Sequence, residues 1–315
     1  MESSTSLGGL KPKTTHPERI SAGRFPALLI LPAAIVILVV LGYPLLYSLY
    51  LSFTPYELLK PNSLQFELST MFDNYSKLFG DKIFWQSLVN TILFLAVTVN
   101  LTYVISLGLS QLLARVTFGL GILRTILMVP MMFAPIMVGF QFRWFFNANL
   151  GLVNNVLFEL GLLQEPGQIA WLVDRPLGMV SIIIATIWMN IPMMTIILLA
   201  GTLSLPRETF EAAEVDGASV WQQFRLITLP LLSPFTYIAL TIASLDIARA
   251  FDIVRMMTDG GPAHRTELIW TYVTRLAMED TKFGLGSAMS WITVILSVVF
   301  TLYFFRQLVK ARVVQ

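Results

Sequence analysis

The sequence contains no cysteine. That excludes disulfides, thiolate metal sites and a cysteine nucleophile. Histidine is almost as scarce. His16 lies in a polar N-terminal stretch and His264 beside Gly260-Gly261-Pro262, and neither position reads as a metal ligand. Charge is thin as well: 13% of the 315 residues are Asp, Glu, Lys or Arg, against roughly 25% in a soluble domain. A net charge of +2 gives no reason to expect a nucleic-acid partner. No stretch matches Gly-x-x-x-x-Gly-Lys-Ser/Thr, so any nucleotide that drives this chain binds to another polypeptide. No constellation of His, Cys and carboxylates marks a membrane-face enzyme.

What is abundant is apolar surface. Hydrophobic residues make up 56% of the chain, and the mean hydropathy is +0.72. Residues 1–24 form a polar tail with Lys11, Lys13, Arg19 and Arg24. An apolar run then extends over 25–53, longer than the h-region of a cleaved signal and long enough to span, since about 20 residues cross the hydrocarbon. Five more runs lie at 85–113, 120–146, 177–203, 229–257 and 285–308. Unsatisfied backbone groups cannot face lipid, so each run is expected to be helical. The expected fold is an all-α, polytopic membrane protein with six transmembrane helices in a single domain, 25–315. Pro32, Pro44, Pro130, Pro135 and Pro192 interrupt these runs, either as tolerated bends or as gating hinges.

Basic residues set the orientation. Lys11, Lys13, Arg19, Arg24, Arg115, Arg124, Arg207, Arg225, Arg306, Lys310 and Arg312 fall on one side. Lys60, Lys77, Lys82, Arg175, Arg265, Arg275 and Lys282 are spread through longer loops on the other. The bias places both termini in the cytoplasm.

The loop 204–230 then lies on the cytoplasmic face. Phe210, Ala213, Gly217, Val220, Trp221 and Phe224 fall near helical spacing, with Glu208, Glu211 and Asp216 off that stripe. Pro206 suits the first turn of a helix, Gly217 a sharp turn, and Ser219 with Gln222 the spacing of a capping box. Two short amphipathic helices at a turn are predicted. Glu208, Glu211, Glu214 and Asp216 make the loop acidic, which disfavours adsorption to anionic lipid and favours a basic protein partner.

In this loop Glu211-Ala212-Ala213, three residues, Gly217, nine residues and Ile227-x-Leu229-Pro230 follow in order. The run resembles the EAA signature of binding-protein-dependent ABC importer permeases. The resemblance implies the type I importer permease fold, with the loop docking in a groove of an ATPase subunit. Glu211 would face basic groups there and Gly217 would form the turn. Ala212, Ala213, Asp216, Trp221, Phe224, Ile227, Leu229 and Pro230 complete the implied coupling set. It further implies a second permease subunit and two ATP-binding subunits, which carry the ATP and magnesium; this chain itself holds no cofactor. A periplasmic solute-binding protein would deliver substrate, and the location would be the bacterial inner membrane.

The resemblance extends beyond the loop. Arg143-Trp144-Phe145-Phe146-Asn147, Gly151-Leu152-Val153-Asn154 and Trp188-Met189-Asn190-Ile191-Pro192 are similar to stretches of sugar permeases. Phe251-Asp252-Ile253, Thr258-Asp259-Gly260-Gly261-Pro262 and Thr266-Glu267 resemble the maltose-type first permease of carbohydrate importers. A sugar or oligosaccharide is the implied cargo. Residues 1–24 have no counterpart in that pattern, and the chain lacks the two extra N-terminal spans and the periplasmic insertion of some members.

Polar residues within the runs are candidates for the substrate path. They are Asn90, Asn190, Asp246, Arg249 and Asp252, with Asn100, Thr91 and Thr102 behind them. Charge in a membrane normally faces a bundle interior or an aqueous cavity. Asp246, Arg249 and Asp252 at three-residue spacing fit a charge cluster that fastens the bundle, or part of a sugar path. Trp188, Phe140, Trp144 and Phe145 supply rings that suit sugar C–H faces, and equally suit packing. Two other readings stand beside this one. The same fold could import a polyol, glycerol phosphate or acidic oligosaccharide, for which Arg143 and Arg249 are suited. An ion-coupled secondary transporter would require inverted repeats around a midplane ion site; no internal repeat is evident.

Overall fold

The computed structural model describes residues 25–313, whose regular elements are all helices, with no sheet among them. The expected tail 1–24 lies outside the described residues. The chain divides into two units, Met1–Ser48 and Leu49–Gln315. The first carries α1 (Phe25–Ile37), a π-helical turn at Leu38–Gly42 and the start of α2 (Tyr43–Ser52). Pro32 sits inside α1 without ending it. Leu29–Ser52 forms an apolar stretch of 24 residues, most of whose large side chains are exposed.

The second unit continues with α3 (Asp73–Gly80), α4 (Lys82–Arg115), α5 (Leu120–Met128), α6 (Pro135–Phe145), α7 (Leu152–Glu159) and α8 (Leu177–Leu203). There follow α9 (Arg207–Val215), α10 (Val220–Gln223), α11 (Leu229–Leu231), α12 (Ser233–Ala248), α13 (Asp252–Met257), α14 (Ile269–Thr274) and α15 (Phe283–Val313). The long helices α4 and α8 pack against each other along their length. Their contact depends on small and hydroxylated residues, which let helix backbones approach in lipid. On α4, Thr98, Thr102, Ser106 and Ser110 recur every fourth position and are buried. Ser106 donates across the interface to the Ile191 carbonyl at 3.3 Å, and Gln111 to Thr202 Oγ1 at 2.9 Å. Phe94, Ile182, Met194, Leu198, Leu232 and Ile247 fill the space between α4, α8 and α12.

Two of the expected single helices are broken. Leu120–Met132 and Pro135–Phe145 meet at 93°, where one helix was expected over 120–146. Pro130 sits in a 3-10 turn before the break and Pro135 opens α6 after it, so neither proline can donate a bond that would carry one helix across. Val220–Leu231 and Ser233–Ala248 meet at 66°. Pro192, by contrast, leaves α8 unbroken over 27 residues. The helix expected to reach 257 stops at Ala248: Arg249 N–H donates to the Asp246 carbonyl and Ala250 N–H to Ile247, tightening the last turn before α13 begins at Asp252. Three helices among the described residues are long and apolar enough to cross a membrane, or up to five if each bent pair counts as one span.

Candidate functional site

The loop between α8 and α12 is built by its own local chemistry. Helix α9 ends where the Gly217 N–H donates to the Glu214 carbonyl at 3.0 Å and the Ala218 N–H to Ala213 at 2.9 Å. This pattern needs a left-handed residue after the last turn, and Gly217 supplies it with φ +75°. Helix α10 opens with a full capping box. The Gln222 N–H donates to Ser219 Oγ at 3.3 Å, and the Ser219 N–H donates to Gln222 Oε1 at 2.7 Å. A π-helical turn, Phe224–Thr228, leads into α11 and Pro230.

The predicted apolar stripe splits into two faces. Phe210, Ala213, Phe224, Ile227 and Leu229 are partly buried, and Phe224 and Leu229 pack on the main core. Val215 (89%), Val220 (66%) and Trp221 (67%) are exposed beside Glu211, Ala212 and Asp216. The left-handed turn at Gly217 separates α9 from α10, as the two predicted short helices require. The outer face is therefore apolar at its centre and acidic at its rim, which is the composition of a protein-docking surface. Trp221 stacks on Phe224 with ring centroids 5.5 Å apart, tying this face to the membrane domain.

The candidate path residues fall into separate places. Asn190, Asp246, Arg249 and Asp252 line one cavity of about 280 Å³ with Thr186 and Met189. An adjoining cavity of about 430 Å³ shares Met189, Asn190, Asp246 and Arg249, so the two form one cleft along α8 and α12. Asn190 Nδ2 donates to the Thr186 carbonyl at 2.9 Å, which fixes the amide while its oxygen stays available. Arg249 Nη2 lies 3.3 Å from Asp246 Oδ1, an exposed pair. Arg249 and Asp252 make no such pair, because they stand on opposite sides of the helix break rather than on one face. Thr186 and Met189 were not singled out from sequence; Thr186 stands one helical turn before Asn190, a spacing that could have pointed to it.

Other candidates lie elsewhere. Trp188 packs between Phe142 (centroids 5.5 Å) and Phe133 (6.4 Å) in the core, and Phe145 joins Phe142. Phe140 and Trp144 are exposed on α6 and line neither cavity of the cleft. Arg143 donates to the Met256 carbonyl at 3.3 Å. Asn100 and Thr102 bond back to their own helix. Asn90 is a clamp: its Nδ2 donates to the carbonyls of Arg265 (3.1 Å) and Glu267 (3.0 Å).

That clamp belongs to a structured segment after α13. Glu267 is fully buried, and its Oε2 receives His264 Nδ1 at 2.8 Å and Arg275 Nε at 3.2 Å. Arg275 continues to the Asp259 carbonyl at 2.8 Å and to Glu279 at 3.1 Å. Gln86 donates to the His264 carbonyl, and Thr91 Oγ1 accepts from the Ile269 N–H at 2.9 Å. The Tyr272 hydroxyl donates to Asp81, and burial followed by that bond raises its pKa above the usual tyrosine range. His264 thus serves a carboxylate, and sequence reading did not single out Glu267 as the hub.

Residues 87–315 match the family of binding-protein-dependent transport system inner membrane components. The chain belongs to that family. It is a multi-pass inner-membrane permease subunit of a binding-protein-dependent transport system, and it performs no catalysis itself. The sulfoquinovosyl glycerol transport permease SmoG of Agrobacterium fabrum is 34% identical over 280 residues, covering 89% of this chain and 88% of the relative. The trehalose/maltose transport permease MalF of Thermococcus litoralis is 32% identical, covering 89% and 92%. The diacetylchitobiose uptake permease DasB of Streptomyces coelicolor is 32% identical, covering 90% and 87%. A chain of a bacterial ABC transporter involved in import of the acidic polysaccharide alginate superposes with a TM-score of 0.76 at 22% identity, covering 91% of this permease and 95% of that chain. The alginate transporter in complex with an alginate pentasaccharide-bound periplasmic protein gives 0.75 at 22%, covering 89% and 92%. At that identity these two structures establish the fold.

Proposed function

We propose that this permease is the maltose-type first subunit of a carbohydrate importer, with six spans at 25–53, 85–113, 120–146, 177–203, 229–257 and 285–308. Both termini are cytoplasmic, and 204–230 is the coupling loop. Its exposed Val215, Val220 and Trp221, rimmed by Glu211 and Asp216 and held at a fixed angle by Gly217, is the observation that carries the reading. Two ATP-binding subunits, paired with this chain and a second permease, close on ATP and push the loop. Pathway access then follows their nucleotide state, which is allosteric coupling between two sites. A periplasmic solute-binding protein delivers sugar on the far side, as the complex of the alginate transporter suggests by analogy.

The cargo reading draws on the relatives, several of which are named for glycosides or disaccharides. The cleft supports a neutral sugar over glycerol phosphate or an acidic oligosaccharide. Arg249 is offset by Asp246, and Asp252 adds a further carboxylate, so the lining carries no surplus cation. The test is reconstitution. Co-expressed with candidate ATP-binding and permease subunits, the chain is expected to purify as a complex whose ATP hydrolysis rises several-fold with binding protein and sugar. A complex that never acquires an ATP-binding subunit would contradict the proposal.

A further inference from the structure

A third cavity, of about 350 Å³, lies apart from the cleft, between the segment before α8 and the segment after α13. Its lining includes Arg175, Arg265, Asp174 and Asn90. Both arginines are exposed, and neither has an ion pair among the described residues. That sets them apart from Arg255 and Arg275, which are tied into the Asp259, Glu267 and Glu279 network. Asp174 is already engaged, its Oδ2 accepting the Ala170 N–H at 3.2 Å.

The backbone under both arginines is held firmly. Asn90 bonds the Arg265 carbonyl itself. The Thr266 N–H donates to Gly260 at 3.1 Å, and Thr266 Oγ1 shares a 2.7 Å bond with Thr258. Before α8, the Asp174 N–H donates to Ala170 at 2.9 Å and the Gly178 N–H to Asp174 at 3.2 Å. Asn154 bonds the Ile169 carbonyl, and Trp171 Nε1 bonds Asn154 Oδ1 at 2.6 Å. Two free guanidinium forks therefore stand on fixed walls around a concave space. Guanidinium recognises planar carboxylates through paired parallel bonds, and fixed walls lower the ordering cost of capturing one.

We infer that this cavity receives an acidic side chain of the solute-binding protein, gripped by Arg175 and Arg265. The inference rests on the importer reading above, which places both segments on the outer face. Asp174 in the same wall favours a protein partner over an anionic lipid surface, because a protein can present a basic group beside its acid.

The test uses the complete complex in phosphatidylcholine nanodiscs and the solute-binding protein that stimulates wild-type ATP hydrolysis. Arg175→Glu and Arg265→Glu are each expected to raise its half-saturating concentration about tenfold, with hydrolysis in its absence unchanged. Arg175→Gln and Arg265→Gln should give smaller shifts in the same direction, and Lys at either position should recover part of the loss. Added salt should weaken wild-type stimulation more than that of the double Glu variant. Variants that titrate like wild type would overturn the inference and leave the importer reading standing. A loss seen only in nanodiscs containing anionic lipid would assign the cavity to headgroups and overturn it as well. If no binding protein stimulates the wild-type complex, the importer reading fails and this inference falls with it.

Discussion

A Cβ added to Gly260 would stand 2.6 Å from Oε2 of Glu267, the fully buried oxygen that holds both His264 and Arg275. Gly260 also adopts φ +74°, a conformation that costs other residues roughly 1–2 kcal/mol. Gly260→Ala therefore carries both penalties and displaces a carboxylate that joins Arg275 to His264 in the segment before α14. The variant is expected to lower the thermal midpoint of the purified complex and to reduce uptake. An unchanged midpoint would show that the carboxylate can move aside freely.

Tyr272 gives this segment an alkaline limit. Its folded-state pKa is raised above the ordinary value of 10.0, chiefly by burial. Folding stability from this group is therefore complete below pH about 10, where the unfolded chain keeps its proton, and declines as pH rises toward the folded-state value. Between pH 9 and 11, to order of magnitude, the midpoint of wild type should fall more steeply than that of Tyr272→Phe. Parallel slopes would remove Tyr272 from the account.

At the coupling loop, a Cβ on Gly217 would meet nothing within 4 Å, so Gly217→Ala pays only for its backbone conformation. A modest loss of uptake is expected. Gly217→Pro fixes φ near −65°, incompatible with +75°, and removes the N–H that bonds Glu214. It should abolish sugar-stimulated hydrolysis while the protein still reaches the membrane. Ser219→Ala removes the cap of α10, worth about 1 kcal/mol locally, and should fall between the two. A Pro variant that couples normally would contradict the role given to this turn.

In the cleft, Asn190→Ala is expected to raise the sugar concentration needed for half-maximal uptake, with little effect on hydrolysis measured without substrate. Trp188→Ala should instead lower thermal stability, since its ring fills space between Phe133 and Phe142. Uptake unchanged in Asn190→Ala would remove that residue from the path.

These contrasts show what was legible in the sequence. The coupling loop could be read because its determinants are local: one left-handed glycine and one cap four residues long. The apolar runs could be read because membrane-buried backbone leaves only helices. The angle at Pro130 and Pro135 was less accessible, since proline announces a break without setting its direction. The spacing of Asp246, Arg249 and Asp252 suggested one helix face, but the tightened turn at Arg249 places Asp252 on the next helix, and only Asp246 and Arg249 pair. Asn90 and Asn190 looked alike in sequence. Only tertiary structure assigns one to clamp a loop and the other to line a cleft, because the carbonyls that Asn90 holds and the charged residues that share the cleft with Asn190 lie far away along the chain.

The absence of cysteine makes the decisive measurement clean. A single Trp221→Cys substitution puts a thiol on the exposed face of α10 without competing sites in this chain. In membranes containing the assembled transporter, a short bifunctional thiol–amine reagent is expected to link that cysteine to the ATP-binding subunit, with an efficiency that changes when ATP is bound. A cysteine at Trp221 that is labelled by an impermeant maleimide from the periplasmic side, and never links to an ATP-binding subunit, would contradict the account.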